Sequence, residues 1–155
     1  MMQTVNSTDS VNMNSSHQKE VLDYAKSLPP RFKAARAVEE MEAEVATRTV
    51  KEWEQAHPEL GAVADLGWPE AVADVRVVLR AAALGMLMDD TDYAETRSAI
   101  TVRRALDFLD VPAGAVNDLF NVLANTARET LPPAAADLLY PYLSCLAASA
   151  RPTVV

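Results

Sequence analysis

Cysteine and positive charge are both scarce in this chain, and each shortage excludes a class of protein. Cys145 is the single cysteine among 155 residues, so one chain cannot form an internal disulfide or a cysteine-based metal cluster. We expect Cys145 to act as a small buried hydrophobe. The 14 Lys and Arg are outnumbered by 22 Asp and Glu, for a formal charge of -8. This balance argues against a phosphate-tracking surface and a nucleic-acid partner.

Long apolar runs are also missing. The most apolar stretch, residues 71–88, is interrupted by Asp74, Arg76 and Arg80, so the sequence predicts no membrane span. The polar N-terminus, rich in Ser, Asn and Thr, lacks the basic segment and apolar core of a secretory signal. We therefore expect a cytoplasmic protein without a membrane partner.

Glycine is rare, and strand patterns are absent. Only four glycines occur, too few for many tight turns, and no stretch alternates apolar with polar residues. Long windows carry strong helix formers instead. A chain of this length forms one complete core. The sequence predicts a single all-α domain of about six helices.

Prolines and polar clusters divide the chain. We expect residues 1–16 to form an arm that is flexible or orders only against a partner, ahead of a domain spanning residues 17–155. A first helix is predicted from near His17 to Leu28, where Pro29-Pro30 should stop it. A second is predicted over residues 31–56, with apolar positions at Phe32, Ala35, Val38, Met41, Val45 and Trp53.

The remaining helices follow from apolar periodicity. A third is predicted after Pro69, because one stripe contains Val72, Val75, Leu79, Ala82 and Met86. A fourth should run from the acidic cluster near residue 90 to Asp110. A fifth carries Val116, Leu119, Phe120, Leu123 and Ala127. In the last helical region, Leu138, Leu139, Tyr142 and Leu146 surround Pro141, which predicts a kink or a division.

Few residues are arranged for catalysis or metal binding. The carboxylates of Asp89, Asp90, Asp92 and Glu95 could hold a hard cation, but without the glycine and final glutamate of an EF-hand we expect caps and turns. The two histidines lie outside the third and fourth helices, where a haem ligand would be needed. No nucleophile elbow or phosphate loop is present. We therefore predict neither an enzyme nor a metal site.

Asp74 is the most informative acidic residue. It lies beside the apolar stripe of the third helix, so it is partly shielded and needs a hydrogen-bond donor. The alternative is an exposed acid paired with Arg76 or Arg80. Trp68, Phe108 and Phe120 could line a pocket for a flat conjugated ligand.

The order of motifs from residue 71 to residue 112 resembles the central region of phycobiliprotein subunits. In that family one helix begins Cys-x-Arg-Asp and continues through Leu-Arg-Tyr-Ala to Ala-Met-Leu-Ala-Gly-Asp, and a second runs from Asp-Glu-Arg to Leu-Gly-Val-Pro. The corresponding segments here, gap-free over residues 77–112, are Ala71-Val72-Ala73-Asp74, Leu79-Arg80-Ala81-Ala82, Met86-Leu87-Met88-Asp89-Asp90, Glu95-Thr96-Arg97 and Leu109-Asp110-Val111-Pro112. Weaker similarities, at Asn6-Ser7-Thr8-Asp9, Val50-Lys51-Glu52 and residues 140–148, extend the resemblance over most of the chain. It implies a globin-like fold with an N-terminal helical extension.

Two departures from the family pattern matter. Ala71 stands where the family has its thioether cysteine, and Ala73 stands where it has the arginine that holds a bilin propionate. The resemblance thus implies that covalent attachment at the usual site is impossible. It also implies that Asp74 keeps the family aspartate's role of accepting hydrogen bonds from the inner pyrrole nitrogens. Arg76 or Arg80 would then pair with a propionate, because guanidinium and carboxylate form a fork.

The resemblance implies a noncovalent binding protein for a linear tetrapyrrole, biliverdin or a reduced bilin, serving carriage, storage or sensing in bilin metabolism. In character the chain is similar to the bilin biosynthesis-associated globins. Arg80 and Asp9 match positions that the family uses in subunit pairing, which implies a homo-oligomer or a bilin-pathway protein partner. The predicted site comprises Asp74, Arg76, Arg80, Trp68, Ala71, Phe108 and Phe120. The main alternative is a pigment-free interaction or assembly domain, and a haem or fatty-acid sensor is a third possibility.

Overall fold

Helix formers dominate the windows between prolines and glycines, and residues 7–149 fold into six α-helices. The computed structural model describes the backbone of residues 7–149 and the side chains of residues 15–148. The helices are α1 (Ser7–Ala56), α2 (Val63–Leu66), α3 (Ala71–Met88), α4 (Ile100–Phe108), α5 (Ala113–Thr130) and α6 (Pro133–Ser149). A 3-10 turn occupies Pro58–Leu60, and a π-helical turn, Glu95–Ala99, leads into α4. No strand occurs in residues 7–149, so the all-α prediction is confirmed.

The core lies where α1, α3, α5 and α6 meet. The C-terminal half of α1 packs on α3, α5 and α6, and α6 also packs on α3 and α5. Trp53 is buried, and its indole Nε1 donates to the Ala115 carbonyl at 2.8 Å, which joins α1 to α5. The predicted stripe of α3 is confirmed: Val75, Leu79, Ala82 and Met86 are buried and Val72 is half-buried. All five predicted apolar positions of α5 are buried too.

The prediction that Pro29-Pro30 ends a helix is wrong, because α1 continues through both prolines. Residues on either side of them are anchored to the last turn of α3. Tyr24 donates its hydroxyl hydrogen to the Leu87 carbonyl, and Arg31 donates to the Met86 carbonyl. The carbonyls that lose their helical donors belong to residues 25 and 26, which are exposed, so water can satisfy them.

The start of α1 also differs from the prediction. The helix begins at Ser7 rather than near His17. Residues 1–6, with part of the proposed arm, and the Asp9 side chain that the pairing prediction used lie outside the described residues. The division into an arm and a domain at residue 16 stays a prediction. Phe32, predicted on the apolar face, is 59% exposed.

Pro141 does not divide the last helix. The helix α6 is continuous from Pro133 to Ser149, so the expected division is wrong. The carbonyl that Pro141 leaves without a helical donor belongs to Asp137, which is exposed and can reach water. No helix among the described residues is long and apolar enough to cross a bilayer.

Candidate functional site

The candidate site is an open groove between α3 and the segment formed by the π-helical turn and α4. Its volume is about 200 Å³. The helix α3 contributes two side chains and the facing segment contributes the rest. The lining residues are Asp74, Val77, Arg97, Ser98, Thr101, Val102 and Ala105.

Local backbone structure places Trp68 beside Asp74. Gly67 ends α2 with a left-handed φ of 87°, a conformation in which a side chain would be strained. This turn lets the Trp68 amide donate to the Val63 carbonyl at 3.1 Å. The Trp68 ring packs edge-on against Trp53, with centroids 6.2 Å apart. Trp68 is therefore held rigidly in the core, 4% exposed.

The Trp68 indole is the donor that Asp74 was expected to need. Nε1 of Trp68 donates to Oδ2 of Asp74 at 2.7 Å, and Asp74 is half-buried. The alternative pairing of Asp74 with Arg76 or Arg80 is wrong. Oδ1 of Asp74 makes no hydrogen bond within the described side chains, so one carboxylate oxygen is left to accept from a ligand in the groove.

Arg76 and Arg80 are hydrogen bonded to Glu42 rather than to Asp74. Nη2 of Arg76 donates to Oε1 of Glu42 at 2.9 Å, and Nε of Arg80 donates to Oε2 of Glu42 at 2.6 Å. Hydrogen bonding to Arg80 lowers the pKa of Glu42, burial opposes this, and Arg76 adds to the lowering. Both arginines join α3 to α1, and neither lines the groove beside Asp74. Their assignment to a propionate stays a prediction.

The other predicted site residues lie around the groove or away from it. Ala71 is 1% exposed in the first turn of α3. Phe120 is 1% exposed in the core, where the Arg103 guanidinium stacks on its ring at 4.3 Å. Phe108, at the end of α4, is 86% exposed. Of the seven predicted residues, the structure thus brings Asp74 and Trp68 into direct contact.

The sequence interpretation missed Arg97 and Glu42. Arg97 lines the groove and its guanidinium carbon lies 5.5 Å above the centroid of the Tyr93 ring. The spacing of Arg97, Thr101 and Ala105, four residues apart, could have indicated a shared helix face. Glu42 lies within the apolar stripe of α1, and a carboxylate there could have indicated a buried ion pair with the i, i+4 arginines of α3.

The acidic cluster after α3 makes a turn. Oδ1 of Asp90 accepts from the Asp92 amide at 3.0 Å, and Asp89 accepts from the Tyr142 hydroxyl at 2.8 Å. Among the described residues, no group of three or more His, Cys, Asp and Glu side chains could hold a metal ion. Burial raises the pKa of the Cys145 thiol, whose Sγ lies 3.3 Å from the Thr91 carbonyl.

His57 forms a polar cluster directly after the C-terminal end of α1. Its Nε2 lies 2.7 Å from Oδ2 of Asp118, and its Nδ1 lies 3.0 Å from Oε1 of Glu59. Burial lowers the pKa of His57, but the hydrogen bonds to the two carboxylates outweigh it and the pKa is raised overall. This cluster supports the junction of α1 with α5 rather than the groove.

One comparison with known proteins is informative. A family model described as "Phycobilisome protein" matches residues 4–149 of the chain. No curated protein matches it.

Proposed function

Because the chain belongs to the phycobilisome protein family, whose members bind linear tetrapyrrole pigments, we propose that it holds biliverdin or a reduced bilin noncovalently in the groove between α3 and α4. The family's proteins are pigment-binding structural proteins rather than enzymes. The observation that carries the proposal is the Asp74 carboxylate, which faces the groove with one oxygen fixed by Trp68 and the other available.

Asp74 would bind the inner pyrrole nitrogens. A carboxylate accepts several hydrogen bonds, and Oδ1 is available to N–H donors of the pigment. The bond to Trp68 holds the carboxylate in one orientation, so it need not be ordered when a ligand binds. A conjugated, flat tetrapyrrole also needs apolar walls, which Val77, Val102 and Ala105 supply.

Arg97 would bind a propionate of the pigment. It lines the same groove as Asp74 and carries the fork of donors that matches a carboxylate. The groove geometry favours Arg97 over Arg76 and Arg80, because those two arginines are hydrogen bonded to Glu42. Arg97 would then take the role that the family gives to the arginine replaced here by Ala73.

The groove is smaller than a typical ligand pocket, which encloses about 300–1,000 Å³. Its open volume of about 200 Å³ would hold part of a tetrapyrrole. We propose that the remainder lies against exposed apolar side chains at the rim. Val77 is 50% exposed, and Phe108 follows Ala105 by one turn of α4.

The binding would be noncovalent. Ala71 offers no sulfur at the attachment position and is buried. Cys145 lies on α6, outside the groove lining, and its raised pKa keeps the thiol protonated and weakly nucleophilic. The pigment would serve carriage, storage or sensing in bilin metabolism in the cytoplasm.

A second candidate is a pigment-free interaction domain, and exposed apolar side chains favour it. Val21 and Leu22 on α1 and Leu84 and Met88 on α3 are between 47% and 62% exposed. Proteins of this family assemble into oligomers. We propose that these faces join a second copy of the chain or a bilin-pathway protein, with or without pigment.

The deciding experiment is a visible absorption spectrum of the protein purified from cells that make biliverdin, followed by denaturation in acid urea and solvent extraction. We expect structured long-wavelength absorbance from the native protein, and we expect all of the pigment to pass into the extract after denaturation. Pigment that stays with the denatured chain would contradict noncovalent binding. A colourless protein despite abundant biliverdin would leave the pigment-free interaction domain.

A further inference from the structure

Arg103 lies on α4, outside the lining of the candidate groove, and contacts three different parts of the protein. Its Nε and Nη2 donate to the two carboxylate oxygens of Glu95 at 2.8 and 3.2 Å. Nη2 also donates to the Leu146 carbonyl of α6, and the guanidinium stacks on the Phe120 ring. The Arg103 side chain is 16% exposed. Because Arg103 is enclosed in this way, its two hydrogen bonds to Glu95 fix the position of the backbone segment that carries Glu95.

Glu95 is the first residue of the π-helical turn. The Ile100 amide donates to the Glu95 carbonyl, five residues earlier, as a π turn requires. In an uninterrupted α-helix, residues eight apart lie roughly 80° apart around the axis, at about 100° per residue. A π turn accommodates about one extra residue and so shifts later positions back by roughly 100°. The turn therefore brings Glu95 and Arg103 to nearly the same face, and their pairing favours it over an α-helical turn.

The same turn carries two residues of the groove. Arg97 and Ser98 lie between Glu95 and Ile100 and both line the groove beside Asp74. A change to α-helical register would rotate them relative to the residues that follow. Isolated π turns within α-helices are rare and occur often at functional sites.

We propose that Arg103 is a positioning residue for the ligand carboxylate. The hydrogen bonds from Arg103 to Glu95 keep the turn in π register. In that register the turn presents Arg97 to a propionate of the bound pigment. This inference rests on the proposed function, and it assigns Arg103 and Glu95 no contact with the pigment itself.

The test uses two probes, biliverdin and its dimethyl ester, titrated against the full chain. Arg97→Ala should weaken biliverdin binding about tenfold and change ester binding less than about twofold, because the ester has no carboxylate to pair. Arg103→Lys should give the same selective loss, since an ammonium cannot hold both oxygens of Glu95. The Arg97→Ala/Arg103→Lys double variant should bind no more weakly than Arg97→Ala alone.

Two further measurements separate positioning from general destabilisation. Glu95→Gln, a milder change, should reproduce the selective loss. In pigment-free protein, Arg103→Lys should speed hydrogen exchange at the Ile100 amide about tenfold. Arg48→Lys is the matched control, because Arg48 is also hydrogen bonded to glutamate carboxylates, those of Glu52 and Glu129, but it joins α1 to α5 away from the groove. It should leave both probes' affinities unchanged.

The outcomes distinguish the two proposals. Equal losses for biliverdin and its ester, unchanged affinities, or losses that add to those of Arg97→Ala would each overturn the positioning role and leave pigment binding intact. A wild-type chain that binds neither probe would overturn the proposed function and the inference together.

Discussion

Asp74 combines a structural bond with an available acceptor, which makes its chemistry testable by one substitution. In Asp74→Asn the amide oxygen can still accept from Trp68, while the amide nitrogen turns a donor toward the groove. The side-chain amide of the variant and the pyrrole N–H groups of the pigment would then both be donors, so they could not form a hydrogen bond. We expect biliverdin affinity to fall about tenfold or more and the long-wavelength absorption maximum to shift.

Spectroscopic titration of Asp74→Asn with biliverdin provides the measurement. Asp65→Asn is the control, because Asp65 is exposed and does not line the groove. Unchanged affinity and spectrum in Asp74→Asn would remove this residue from the site.

His57 gives the protein a pH-dependent contribution to stability. Its folded pKa is raised above the ordinary value of 6.5, so the unfolded chain releases this proton at lower pH than the folded chain. The stabilisation is therefore complete below pH 6.5 and is lost as pH rises through the folded pKa. We expect a loss of about 0.5–1 kcal/mol, limited because Asp118 and Glu59 are solvent-accessible.

Urea denaturation at a series of pH values from 6 to 9 measures this dependence. His57→Gln should remove it, whereas His17→Gln should retain it, because His17 is 85% exposed. An equally steep dependence in His57→Gln would assign the titration to another group.

The C-terminal end of α3 depends on a close backbone approach at Gly85. The Asp90 amide donates to the Gly85 carbonyl at 2.8 Å, which turns the chain back over the helix. A Cβ at position 85 would lie 2.6 Å from the Asp90 carbonyl oxygen. Gly85→Ala should therefore lower the free energy of unfolding by about 1–3 kcal/mol, because backbone must move.

Gly114→Ala is the matched control for Gly85→Ala, since a Cβ at Gly114 meets nothing within 4 Å. For Gly114→Ala we expect the free energy of unfolding to stay the same or to rise by up to about 0.5 kcal/mol, because alanine has a higher helix propensity than glycine. Chemical denaturation measures the free energy of unfolding of both variants. Equal stabilities would show that the turn after α3 shifts without cost.

Element boundaries show where local rules fail. Pro29-Pro30 was expected to end a helix and Pro141 to kink or divide one, but tertiary anchors hold the chain helical on both sides of the first pair. In each case the carbonyl without a donor lies on an exposed residue. Local sequence gives the cost of the missing hydrogen bond, but the compensating contacts come from residues more than 50 positions away.

Binding of a pigment would stabilise the folded protein as a whole. A ligand that binds only the folded state adds about 2.7 kcal/mol of stability at 100 times its Kd. For a chain of this size that corresponds to a rise in Tm of about 5–10 °C. We expect this rise when biliverdin is added to purified protein.

Thermal unfolding followed by circular dichroism, with and without biliverdin, measures the rise. Biliverdin-free buffer and an unrelated helical protein with the same biliverdin provide controls for nonspecific pigment effects. A Tm that stays constant up to saturating biliverdin would favour the pigment-free interaction domain.

Residue types and their spacing were enough to predict the helical class, the buried stripes of α3 and α5, the family resemblance and the absence of a cysteine at position 71. These follow from residue type and period, which act locally. The partners of the charged groups follow only from the packing of the helices: Trp68 for Asp74, Glu42 for Arg76 and Arg80, and Glu95 for Arg103. Arg97, not Arg76 or Arg80, shares the groove with Asp74, because a long side chain's partner depends on how helices are rotated and packed against each other. The π turn that sets this rotation carries no distinct periodic signal in the sequence.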